Sequence, residues 1–117
     1  VSDNHAREQT RILSLGLQYV KEDLRLELPK LRHRNDNIED MQRQLNAWFA
    51  MRFRNHMVAL NKIAWGMNVR FVMTGAGIVM EAREDSEIGN VVKNNALLID
   101  KHMRELFLMA TGPLPNA

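Results

Sequence analysis

Between positions 38 and 64, apolar side chains recur every three or four residues: Ile38, Met41, Leu45, Trp48, Phe49, Phe53, Met57, Leu60 and Ala64. That spacing matches the turn of an α-helix and sets all of them along one side. Trp65 follows directly. Aromatic side chains remove the most apolar area from water, so the rest of the chain must be arranged to cover this stripe. A helix of more than about 25 residues is long for a globular domain. It therefore predicts either an antiparallel helical hairpin with a neighbour or an interface between subunits. Trp48, Phe49 and Trp65 are the expected core or interface anchors.

The flanking segments offer partners for the stripe. Over residues 6–28, Leu13, Leu17, Val20, Leu24 and Leu28 repeat at helical spacing, and Pro29 is expected to end or kink that helix. Residues 30–37, KLRHRNDN, then read as a basic interhelical loop, with Asp36 or Asn37 capping the second helix. That helix is expected to run to about Trp65, where Gly66 breaks the pattern. Residues 67–82 change period. Val69, Phe71 and Met73 alternate with Arg70, Val72 and Thr74, and the turn formers at 74–77 separate them from a second alternating run. A β-hairpin is the expected result. Ser86 is a cap for a last helix over 87–110, whose stripe is Ile88, Val92, Ile99, Met103, Leu106 and Phe107. Gly112, Pro113 and Pro115 stop it.

These readings predict a mainly α fold, one small helical domain over residues 1–117 with long antiparallel helices and a short β-hairpin. The ends, 1–6 and 111–117, are expected to be flexible. Eight methionines in so short a chain suit irregular cores and adaptable interfaces. Together with the long stripes they predict a homo-oligomer.

The chain contains no cysteine, which excludes disulfides, thiolate chemistry and cysteine-ligated metal. This suits a cytoplasmic or other reducing intracellular compartment. No histidine pair has metal-ligand spacing, and no serine stands in a nucleophile elbow. The TGAG turn lacks the glycine spacing and the Lys-Ser/Thr pair of a phosphate loop. No enzyme activity, cofactor or metal is therefore expected. The most apolar window, 63–80, is interrupted by Arg70 and three glycines, so no transmembrane insertion is expected.

Net charge is only +2, but its distribution is uneven. From Met41 to Met80 the chain carries Arg43, Arg52, Arg54, Lys62 and Arg70 without one acidic residue. A local cationic face attracts polyanions even when global charge is small. The leading expectation is a non-enzymatic, self-associating protein that binds DNA or RNA through the phosphate backbone. Its first contacts would be Lys30, Arg32 and Arg34, extended by the five cations above. The alternative is an adaptor or inhibitor that grips a partner protein and binds no nucleic acid.

Overall fold

A computed structural model of the protein describes residues 2–33 and 37–112. Five helices and one hairpin follow in the order α1 (Ser2–His33), α2 (Ile38–Ala59), α3 (Ile63–Met67), β1 (Val69–Met73), β2 (Ile78–Ala82), α4 (Glu87–Asn94) and α5 (Ala96–Thr111). The longest dimension, 49 Å, is set by α1. At about 1.5 Å per residue, a helix of that length spans nearly the same distance.

α1 is the central element. Leu13, Leu17, Val20 and Leu24 are fully buried along it. α2 runs antiparallel beside it, as the pairings Asp23 with His56 and Glu27 with Arg52 establish. Gly16 makes the approach close: a Cβ there would stand 2.1 Å from Met57 Cε. On another side, α5 runs parallel to α1, with Ser14 facing His102, Lys21 facing Glu105 and Arg32 facing Ala110. The hairpin closes the core. Its register pairs Phe71 with Met80 and Met73 with Ile78, and these four side chains are all buried. The Phe71 ring lies 5.7 Å from Phe49 and 5.9 Å from Phe53. The alternation read from residues 67–82 is thus realised as a two-stranded antiparallel sheet. Asn46 of α2 holds it in place by accepting the Met73 N–H at 2.7 Å.

Four boundaries differ from the expectation. α1 is already helical at Ser2. It also continues through Pro29, whose ring faces solvent while Leu28 and Leu31 on either side are buried. Their burial outweighs the hydrogen bond that proline cannot donate. Lys30 and Arg32 therefore stand on a helix, and residues 34–36 lie outside the described residues.

α2 stops at Ala59 instead of reaching Trp65. Asn61 adopts φ +62°, Lys62 N–H bonds to Met57 O, and Asn61 N–H bonds to Val58 O. This is a left-handed helix stop of the kind asparagine tolerates. The short α3 then folds back so closely that a Cβ at Gly66 would sit 2.7 Å from Arg54 Cα. The expected last helix is two helices, broken at Asn95. Its side chain donates to Val91 O at 2.7 Å and accepts from Thr10 at 3.0 Å. Asparagine offers such local bonds in competition with the helix ladder. The expected Ser86 cap is present, accepting from Gly89 N–H at 3.1 Å.

Candidate interaction face

Seven of the eight cations expected to contact phosphate lie among the described residues; Arg34 does not. They do not form one free face. Arg32 donates to the carbonyls of Ala110 and Met109, tying the end of α1 to the C-terminus of α5. Such a contact satisfies carbonyls left open at a helix end. Arg43 pairs with Asp40 one turn earlier. Arg52 lies 3.6 Å from Glu27 and extends over the Trp48 ring at 5.3 Å. Lys62 reaches Glu87 at 3.8 Å and stands 5.5 Å from the Trp65 ring. Arg70 bonds to Glu81 at 2.6 Å across the hairpin, its direct register partner. Arg54 and Lys30 are exposed. The carboxylates that meet Arg52, Lys62 and Arg70 come from outside the 41–80 window, so the acid-free run in sequence is not acid-free in space.

Trp48, Phe49 and Trp65 are buried within the chain's own core, at 8%, 0% and 1% exposure. The edge-on contact between Trp48 and Phe49, at 5.6 Å, begins the aromatic chain that continues to Phe71.

Two polar clusters line α1. Toward α2, His56 Nε2 lies 2.7 Å from Asp23 Oδ2, and the Tyr19 ring rests 5.2 Å from the imidazole. Toward α5, the buried Lys21 pairs with Glu105, and Ser14 Oγ stands 3.5 Å from His102 Nε2. The hydrogen bond from Lys21 holds the Glu105 carboxyl below the usual range. Burial, followed by the nearby Lys21 ammonium, holds His102 below the usual imidazole range. The imidazole is therefore neutral at pH 7, and its buried Nδ1 has no hydrogen-bond partner among the described residues. At 5% exposure it offers a substrate no approach. Among the described residues, no three metal-ligating side chains converge, and no helix is long and apolar enough to cross a membrane.

Apolar side chains are exposed on α1, α2 and α3, Leu26 and Ile38 among them, and a further group adjoins a cleft beside α5. α5 turns Ile99, Met103, Leu106 and Ala110 inward, and the hairpin turns Ile78 and Met80 inward. Their outer sides border a cleft of about 530 Å³, walled by residues 76–79 of the hairpin and by Leu97, Asp100, Met103, Arg104 and Phe107. Leu97 is 85% exposed, Val79 57% and Leu108, one turn beyond the cleft, 67%. Leu97 and Leu108 lie off the inward stripe of the last helix, so that stripe's periodicity does not single them out. The available signal was the interval between Leu97 and Leu108, which is close to three helical turns and so puts both on one outer side. The cleft can bury aliphatic groups, and Asp100 and Arg104 at its rim can pair with charge. No family model matches the chain, and neither a curated protein nor a solved structure is significantly similar to it.

Proposed function

We propose that the protein is a non-enzymatic interaction module that associates with protein, its own copies included, over the hairpin–α5 face. One observation carries this reading: Leu97, the most exposed large apolar side chain among the described residues, stands on the rim of an apolar cleft together with exposed Val79. Adjoining apolar groups held in water gain roughly 25 cal/mol per Å² when a partner covers them.

Phosphate-backbone binding to DNA or RNA is the second reading, favoured by exposed Arg54. It is weaker because Arg43, Arg52, Lys62 and Arg70 already face carboxylates, and Arg32 faces helix-end carbonyls. A phosphate would have to displace those contacts before any counterion release could favour binding.

Two measurements on one preparation separate the readings. Labelled single- and double-stranded DNA and RNA are titrated at two salt concentrations, and a photo-crosslinking residue is placed at position 97 or at exposed position 18. The expected outcome is no saturable nucleic-acid binding and protein adducts from position 97 alone. Salt-sensitive binding that Arg54→Glu weakens without unfolding the chain would overturn the interaction reading.

A further inference from the structure

The outer side of α5 carries Leu97, Asp100, Arg104 and Leu108 within an arc of about 80°. All four are exposed. Neither Asp100 nor Arg104 forms an ion pair with a described residue, whereas Lys21, Arg52, Lys62 and Arg70 each do. The order of the four is self-complementary. A leucine stands at each end, with one acid and one base between them, placed about evenly around a midpoint at His102 and Met103.

We propose that this stripe pairs with the same stripe of a second copy, the two α5 helices running antiparallel across a two-fold axis. The proposal rests on the reading of this face as a protein-contact surface and names its occupant. Antiparallel pairing sets Asp100 of one copy against Arg104 of the other, and the two-fold repeats that ion pair. The same operation sets Leu97 against Leu108 at both ends. Parallel pairing would instead put Asp100 on Asp100 and Arg104 on Arg104, and like charges in contact oppose association. Charge complementarity therefore selects both the occupant and the direction. Phe107 and Val79 lie on the cleft side of the stripe and continue its apolar area toward the hairpin. Lys101 borders the opposite side, where its four-carbon stem lets the ammonium reach water.

Sedimentation equilibrium of the full chain tests the pairing. The wild type is expected to dimerise, and Leu97→Asp to be monomeric with an unchanged helical circular dichroism spectrum. Arg104→Asp sets acid against acid and should weaken the dimer roughly tenfold or more. The double variant Asp100→Arg/Arg104→Asp restores the complement and should return the dissociation constant to within a few-fold of wild type. A wild type that stays monomeric at about 0.5 mM, far above a micromolar dissociation constant, overturns the proposal. So does a folded double variant that fails to recover. Cross-links from position 97 to other proteins, found with a monomeric wild type, overturn the second copy as occupant but not the interaction reading. Nucleic-acid binding overturns that reading itself.

Discussion

Removing the charge from Glu105 should cost more than removing its partner. Lys21 is 4% exposed, while the Glu105 side chain is 41% exposed. Glu105→Gln leaves an ammonium buried between α1 and α5 without its counter-ion. Breaking a fully buried pair costs about 3–5 kcal/mol. The glutamine oxygen can still accept a hydrogen bond, and water reaches that side, so we expect about 1–3 kcal/mol here. Lys21→Met removes the ammonium, retains the apolar stem and leaves Glu105 in contact with water. Its cost should be within about 1 kcal/mol of zero. In the Lys21→Met background, Glu105→Gln should then cost almost nothing. Urea denaturation followed by Trp48 and Trp65 fluorescence measures all four corners of this cycle. With m near 1–3 kcal/mol per molar urea, the single Glu105→Gln shift should be on the order of 1 M. Equal costs for Glu105→Gln in both backgrounds would refute the pairing.

Three further outcomes follow from the same geometry. His102 is held below its unfolded pKa, so the unfolded chain takes up a proton first as pH falls. Its contribution is complete above the usual imidazole pKa and declines below it, by at most about 1.4 kcal/mol per pH unit. Urea midpoints at pH 7.5 and 5.5 should differ more for wild type than for His102→Gln, a window above the one in which Glu105 and Glu87 lose their pairings. Asn61→Gly should be neutral or stabilising, while Asn61→Val should lose about 1–2 kcal/mol in thermal or urea denaturation, because φ +62° crowds a β-branched side chain. Asn46→Leu removes the acceptor from the Met73 N–H and should cost about 1–3 kcal/mol, with faster amide exchange at Met73.

What the sequence disclosed depended on the range of the forces involved. The burial of Leu13, Leu17, Val20 and Leu24, the alternation of Phe71 with Val72, and the Ser86 cap are set within a few residues, and all were legible. Helical continuity through Pro29 was not, because it depends on Leu31 finding a core built from distant segments. The cationic window misled for a similar reason. Asp40, the partner of Arg43, lies one turn away, but Glu27, Glu81 and Glu87 approach Arg52, Arg70 and Lys62 only in the folded chain. The exposed stripe of α5 was present in the sequence as a second periodicity, overlaid on the stronger inward one.

The most direct test of self-pairing over the interaction face is a dilution series of methyl spectra from protein labelled at leucine and valine. Pairing of two copies over the hairpin–α5 face predicts concentration-dependent shifts confined to Leu97, Leu108, Val79 and their neighbours. Leu26 and Val58, which are also exposed, should stay fixed. Shifts centred on Leu26 and Val58, with Leu97 and Leu108 unmoved from micromolar to near-millimolar concentration, would contradict it.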